Sequence, residues 1–185
     1  MATLVWDQPA DRLYEVGVSK GVLYNFDGSG VPWNGLVSIE ESNNDEVEPV
    51  YFVGIKFNDI VTVGDFSGKI KAFTYPEDFL FYEGTLKDQT GFYLYNQNKS
   101  RFGLSYQTQV GDEINGTEGG FKIHILYNLT AVPTSREFQT ISDNLEPLEF
   151  EWDITSIPEE VDFFRPTSHV VIDSRTLDKN LLKDI

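Results

Sequence analysis

The chain has 185 residues, a length that fits a single domain. Hydrophobic residues make up 40% and aromatic residues 14%, so we expect a packed core and exclude a disordered acidic tail. The formal charge of -16, from 30 Asp and Glu against 14 Lys and Arg, argues against a protein that clamps nucleic acid through its phosphates.

Cysteine is absent, which excludes disulfides, thiolate metal sites and cysteine nucleophiles. No apolar run approaches the roughly 18 residues that a membrane-spanning helix needs. The first residues, MATLVWDQPADR, lack the basic start and apolar stretch of a secretory signal. We therefore expect no membrane insertion and a protein that stays at first in the cytoplasm where it is made.

The first half of the chain predicts a mainly β fold, because its apolar segments alternate with period two or are short β-branched and aromatic runs. Strands are predicted at residues 13–18, 22–26 and 36–40, with Asp-Gly and Asn-Gly turns before the third. The acidic segment 41–49, ESNNDEVEP, has no apolar stripe and is predicted as a protruding hairpin loop. Strands at 50–57 and 60–63 follow it.

The middle of the chain predicts one helix and a long hairpin. Residues 68–75, GKIKAFTY, alternate as a strand with both faces in use. A short helix is predicted over 76–83, because Pro76 and the two acids after it suit a first turn and Gly84 suits a helix end. Residues 87–99 are polar and turn-prone, and the alternating runs 102–110 and 120–130 are predicted to pair.

The last part of the chain predicts two more strands, at 145–157 and 168–173, which complete a β-sandwich or barrel. The tail, 174–185, carries Leu177, Leu181, Leu182 and Ile185 at roughly helical spacing and is predicted as an amphipathic arm. The whole chain, 1–185, is expected to be one domain with an N-terminal arm over 1–12 and a C-terminal arm over 174–185.

The residues that carry chemistry form no recognisable catalytic or metal motif. His124 and His169 both lie in alternating apolar strands, and neither has a second nitrogen ligand near it in sequence, so no metal site is predicted. There is no Gly-x-Ser-x-Gly elbow, and the acidic loops lack the ligand spacing of a calcium loop. We expect no cofactor and no enzymatic activity.

Two sets of residues leave alternatives open. Glu149, Glu151 and Asp153 alternate in EFEWDI and share a face, as a glycosidase pair could, but the apolar residues between them favour a core strand with a wet surface. Trp6, Trp33 and the many tyrosines could form a platform on which sugar rings stack, although scattered aromatic residues are more often core or subunit contacts. A carbohydrate-binding β-sandwich is therefore the alternative function.

Five segments, in chain order, carry a resemblance to a known family. They are VWDQPADRLYEVGVSKGVLYNF, GSGVPWNGL, KIKAFTYPEDF, KSRFGLSYQTQVGDEINGTEGGFKIHILYN and FFRPTSHVVIDSRTLDKNLL. In this order they resemble the major tail protein, the tail tube protein, of long-tailed actinobacterial phages. The resemblance covers nearly the whole chain.

The resemblance implies a structural virion protein: a β-sandwich with one short flanking helix and extended terminal arms, whose hexameric rings stack into the tail tube. That tube would house the tape measure protein and conduct double-stranded DNA during ejection, without sequence-specific binding. The implied partners are other copies of the chain, the tape measure protein, and the tail terminator and tip proteins. The implied location is the virion tail, after assembly in the host cytoplasm. A related terminator or tip ring protein, which shares the fold, is a second alternative.

By position, the resemblance also implies which residues bridge stacked rings. These inter-ring candidates are Trp6, Asp7, Asn43, Asn44, Asp45, Glu46, Leu181 and Leu182. The three acids of EFEWDI, Glu149, Glu151 and Asp153, are candidates for the lumen wall, where carboxylates would repel the phosphates of passing DNA.

Overall fold

The structure, a computed structural model, describes residues 4, 6–9, 11–62, 64–89, 91–134, 136, 138, 140 and 147–178. Across these ranges the chain is mainly β, as its alternation predicts, with one short helix. In chain order the elements are β1 (Tyr14–Tyr24), β2 (Gly30–Trp33), β3 (Leu36–Asn43), β4 (Glu46–Phe52), β5 (Ile55–Thr62), β6 (Phe66–Ala72), α1 (Phe79–Glu83), β7 (Leu86–Gln89), β8 (Phe92–Leu94), β9 (Phe102–Asp112), β10 (Gly116–Pro133), β11 (Phe150–Ser156) and β12 (His169–Asp173).

Eight strands form one antiparallel sheet in the order β2-β1-β9-β10-β11-β6-β3, with β12 also paired to β10. The long strand β10 organises this sheet: β9 lies along one side, while β12 pairs with its first half and β11 with its last residues. Because β1 also contacts β3, the two ends of the strand order approach each other and the sheet curves around one core. This is the sandwich or barrel class that the sequence predicts.

The core fills the inside of the curved sheet, where α1 contributes Phe79. The Phe79 ring centre lies 4.5 Å from that of Trp33 and 5.0 Å from that of Trp152, and all three side chains are buried. Each large apolar side chain buried in this way contributes about 1.5–3 kcal/mol to folding. The buried cluster also contains Leu23, Phe66, Ile70, Ala72, Tyr82, Phe102, Leu104, Tyr106, Leu126, Leu129, Ala131 and Ile154.

Helix α1 begins at Phe79, three residues after the predicted start at Pro76. The N–H groups of Phe79 and Leu80 donate to the carbonyls of Pro76 and Glu77, three residues back, so residues 76–78 form a turn that leads into the helix. Gly84 ends the helix in the left-handed conformation, with φ of 86°, as predicted. Within the described ranges, no helix is long and apolar enough to span a bilayer.

The protruding hairpin lies further along the chain than predicted. Residues 41–43 end β3 and residues 46–49 begin β4, so segment 41–49 is not a hairpin loop. The hairpin consists of β4 and β5, and its turn at Val53 and Gly54 divides the predicted strand 50–57. The prediction was wrong because it took the lack of an apolar stripe in segment 41–49 as a sign of a loop. A strand outside the main sheet has no face to bury in the core, so it can form without such a stripe.

The second hairpin was predicted correctly, and a third was not predicted. β9 and β10 pair across a turn at residues 113–115, where Asp112 Oδ1 accepts from the N–H groups of Ile114 and Asn115 at 2.7 Å each. The turn-prone stretch 87–99 contains the small hairpin β7–β8.

Candidate functional site

The β4–β5 hairpin, residues 46–62, is called the hairpin arm below. Every residue of both strands is exposed. The strand register places apolar side chains on both of its faces, because Phe52 lies opposite Ile55 on one face and Val47 lies opposite Val61 on the other. Its exposed large apolar residues are Val47, Val50, Tyr51, Phe52, Val53, Ile55, Phe57, Ile60 and Val61.

This composition is unusual for a surface that stays in water. A two-stranded hairpin is marginally stable by itself, and contiguous exposed apolar patches mark interaction surfaces. The tip adds backbone strain, since Val53 is β-branched and has a φ of 52°. The hairpin arm therefore has the properties of a segment that another surface covers.

Two of the inter-ring candidates hold the base of the hairpin arm. Asn44 Nδ2 donates to the Asp65 carbonyl and to Ser67 Oγ at 3.1 Å each, and Asp45 Oδ1 accepts from the Gly64 N–H at 2.9 Å. These bonds join the chain entering the arm to the chain leaving it. The neighbouring candidates, Asn43 and Glu46, are the last residue of β3 and the first of β4.

The candidates in the terminal arms lie far from this base in sequence. Trp6 is 72% exposed, and the Asp7 carboxylate lies 3.7 Å from Arg12 Nε. Leu181 and Leu182, together with most of the predicted C-terminal arm, lie outside the described residues. The predicted inter-ring role of all eight candidates stays a prediction.

The three candidate lumen acids lie on the outer face of the sheet, opposite the buried Trp152 and Ile154, as the alternation predicts. They meet two lysines of β6. Glu151 lies 2.9 Å from Lys69 Nζ and 3.1 Å from Lys71 Nζ, and Glu149 and Asp153 each contact one of the same lysines. Hydrogen bonds from Lys69 and then Lys71 lower the pKa of Glu151. This face therefore combines three carboxylates with two ammonium groups.

The sugar-platform hypothesis loses one of its two tryptophans. Trp33 is only 2% exposed, and its Nε1 donates to the Thr74 carbonyl at 2.9 Å. A side chain in the core cannot stack on a sugar ring in solvent, so this alternative does not hold for Trp33. Its neighbours Gly30 and Pro32 indicate a turn, and a turn has no alternation from which the burial of Trp33 could be predicted.

A polar network lies inside the curved sheet, beyond the apolar core along β10. Its centre is the histidine cluster, defined as Glu15, Glu41, His124 and His169, from β1, β3, β10 and β12. His124 Nε2 lies 2.9 Å from Glu15 Oε1, His169 Nδ1 lies 3.1 Å from Glu41 Oε2, and the two imidazoles meet at 3.2 Å. One ligand atom each from Glu41, His124 and His169 lie within 4.8 Å of one another.

Three further side chains hold the histidine cluster in place. The Tyr106 ring lies parallel to the His124 ring, at 4.6 Å and 7°, and its hydroxyl donates to Glu41. Burial raises the pKa of Tyr106 and the bond to Glu41 raises it further, so the phenol stays a donor. Thr108 and Lys122 both donate to the Glu15 carboxylate.

The charge states in the cluster follow from these contacts. Partial burial raises the pKa of Glu15, but hydrogen bonds from Lys122, Thr108 and His124 outweigh it and lower the value to about 2. Burial lowers the pKa of His169 against the opposing effect of Glu41, and the nearby His124 lowers it further. At neutral pH the cluster therefore combines an ionised carboxylate with an imidazole that resists protonation.

Sequence reasoning missed this cluster, because His124 and His169 are 45 residues apart and meet only through the pairing of β12 with β10. The alternation in FKIHILY does predict the orientation of one of the two histidines. It places His124 on the same face as Leu126, which is fully buried, and so predicts that the imidazole points inward.

Comparisons with known proteins give little beyond the geometry. No model of a known protein family matches the chain, and no curated protein matches it. Among solved structures, the chain is similar to a chain of the PVC sheath-tube complex of an extracellular contractile injection system in its extended state. The TM-score is 0.45 at 12% identity, covering 83% of this chain and 88% of that chain. Such a TM-score is too low to support a shared fold.

Proposed function

We propose that this protein is a structural virion protein whose copies form hexameric rings that stack into a phage tail tube. In this proposal the tube houses the tape measure protein, ends at the tail terminator and tip proteins, and conducts double-stranded DNA without reading its sequence. The protein catalyses no reaction and is located in the virion tail after assembly in the host cytoplasm.

The hairpin arm is the observation that carries this proposal. Its exposed apolar side chains lie on both faces, so one shallow contact would leave half of them in water. A groove between subunits, or the surface of the next ring, would cover both faces at once. Burial in such an interface also explains how an otherwise marginal hairpin stays ordered.

Two further features support assembly from copies of this chain. Within the described part of the chain, the strand order of the main sheet ends at β2 and β3, and edge strands of this kind are where a neighbouring copy can add a strand. The formal charge of -16 suits a conduit, because carboxylates repel DNA phosphates and a passing duplex is not held.

The alternatives differ in what they leave unexplained. A carbohydrate-binding module would need exposed aromatic platforms, and Trp33 is in the core. A glycosidase would need Glu149 and Glu151 poised at a sugar, and both are engaged by lysines. A tail terminator or tip ring protein remains the second candidate, because rings without stacking would also cover the hairpin arm.

The test is negative-stain electron microscopy of the purified chain and of the double variant Phe52→Ser, Phe57→Ser. Both side chains are more than 70% exposed, so the substitutions leave the core untouched. We expect hollow tubes from the unmodified chain, and folded subunits or single rings from the variant, because the apolar contacts of the hairpin arm are lost.

The matched control is Ile114→Ser in the turn between β9 and β10, which removes a side chain of 64% exposure outside the hairpin arm. It should form tubes at the normal yield, and circular dichroism should show the same β content in all three proteins. An unmodified chain that stays monomeric at every concentration would overturn the proposal. Rings that never stack would favour the terminator or tip protein instead.

A further inference from the structure

The hydrogen-bond partners of the histidine cluster determine where its protons lie. His124 Nε2 faces Glu15 Oε1 at 2.9 Å and Thr108 Oγ1 at 3.2 Å. The Thr108 hydroxyl already donates its proton to Glu15, so both partners of this nitrogen are acceptors. His124 Nε2 therefore carries a hydrogen.

The same reasoning applies to the second imidazole. His169 Nδ1 lies 3.1 Å from Glu41 Oε2, and the other oxygen of Glu41 receives the Tyr106 hydroxyl. An ionised carboxylate can only accept hydrogen bonds, so the nitrogen that faces it must donate. His169 Nδ1 therefore carries a hydrogen as well.

The remaining nitrogens, His124 Nδ1 and His169 Nε2, then face each other with lone pairs. They are 3.2 Å apart, while the ring centres are 5.3 Å apart. The nitrogens are much closer than the ring centres, so the two rings face each other through these nitrogens and do not stack face to face. Two acceptors in this arrangement repel each other unless a cation lies between them.

We propose that the facing nitrogens His124 Nδ1 and His169 Nε2 bind a divalent transition-metal ion of the zinc type. Two nitrogens on a tetrahedral zinc ion with bonds of 2.0–2.1 Å are separated by about 3.3–3.4 Å, close to the observed spacing. Glu41 accepts from His169 Nδ1 on the far side of that ring, so it orients the imidazole, and water completes the shell of the ion.

The surroundings of the two nitrogens fit a metal site. Each imidazole donates its outer N–H to a carboxylate, which is the arrangement that orients metal-bound histidines and raises their basicity. Glu15 and Glu41 supply negative charge and Lys122 offsets one unit of it, so the site attracts a cation. The His124 and His169 side chains are 12% and 23% exposed, so an ion can reach them from solvent.

A shared proton is the competing cation. It would sit between the two nitrogens and leave one imidazole cationic, held by the same carboxylates. The two nitrogen ligands come from β10 and β12, so a bound ion would fasten β12 to the central strand of the sheet.

The experiment is equilibrium dialysis of the full chain against zinc at neutral pH, followed by the absorption spectrum of the cobalt-loaded protein. We expect one tightly bound ion per chain and the visible bands of tetrahedral cobalt. His169→Gln should abolish both, and Glu15→Gln should weaken binding by about 10–100-fold, as for other partners of metal-bound histidines. The control Glu151→Gln, which removes a carboxylate from the outer face, should bind like the unmodified chain.

A measurement on the unmodified chain covers the case in which His169→Gln does not fold. Diethyl pyrocarbonate should modify His124 and His169 without zinc and spare both with one equivalent, as read by mass spectrometry. Unchanged modification, or zinc bound equally by His169→Gln and the unmodified chain, would overturn the proposal. A pair that keeps its proton and excludes zinc at neutral pH would also overturn it.

Discussion

Glu83, the last residue of α1, is only 3% exposed, and its carboxylate is fully engaged. It accepts from Trp152 Nε1 at 2.7 Å, from Arg136 at 2.9 Å and from Thr85 Oγ1 at 3.1 Å. A buried carboxylate without such partners would be strongly unfavourable, so these bonds let the helix end against the core. One residue thus links α1 to strand β11 of the main sheet.

Replacing Glu83 tests this link at the scale of a single residue. Glu83→Ala should lower the free energy of unfolding by about 3–5 kcal/mol, because it leaves the Arg136 charge and the Trp152 N–H unpaired in the interior. Glu83→Gln keeps an acceptor for Trp152 and should cost less. Urea denaturation followed by tryptophan fluorescence measures both values, and a loss under about 1 kcal/mol for Glu83→Ala would contradict the assigned role.

Among the elements, the end of α1 depends on a glycine for two separable reasons. Gly84 has a φ of 86°, which disfavours any side chain, and a Cβ there would lie 2.7 Å from the Gln97 carbonyl oxygen. Gly28 has a similar φ of 82°, but a Cβ there would meet nothing within 4 Å. The two positions therefore separate backbone strain from steric overlap.

Gly28→Ala should cost about 1–2 kcal/mol, the strain of a left-handed residue that has a side chain. Gly84→Ala should lower the free energy of unfolding clearly more, because the Gln97 carbonyl must also move away from the new Cβ. The Gln97 N–H donates to the Gly84 carbonyl, so this hydrogen bond would be disturbed as well. Thermal unfolding of both variants measures the difference. Equal losses would show that the chain around Gln97 yields freely and that only the backbone angle matters.

At the same scale, local patterns predicted some elements and missed others for one physical reason. The β9–β10 hairpin and the inward face of β11 follow from period-two alternation, which burial on one side imposes. The end of α1 at Gly84 follows from the residue type alone, because glycine readily takes the left-handed conformation that ends a helix. The hairpin arm buries neither face within the subunit, so no alternation marked Val53 and Gly54 as its turn.

For the whole molecule, what the sequence could not predict is which strands become neighbours. The histidine cluster exists because β12 pairs with β10 and because the curved sheet brings β1 and β3 to the same interior. Neither contact has a local signal around His124 or His169. The acidic charge, in contrast, follows directly from the composition, and it would act on the proposed assembly as a whole.

That charge predicts how self-assembly responds to salt. Subunits of charge -16 repel one another over about 30 Å at 0.01 M ionic strength but over only about 8 Å at 0.15 M, whereas burial of the hairpin arm is apolar and is not screened. Light scattering should therefore show faster and more complete assembly at 0.15 M, and Phe52→Ser, Phe57→Ser should stay unassembled at both concentrations. Assemblies held mainly by ion pairs between subunits would behave in the opposite way, because added salt would dissolve them. That outcome would indicate that the subunits join through charged faces and not through the hairpin arm. One such face is formed by Lys69, Lys71 and the acids of β11.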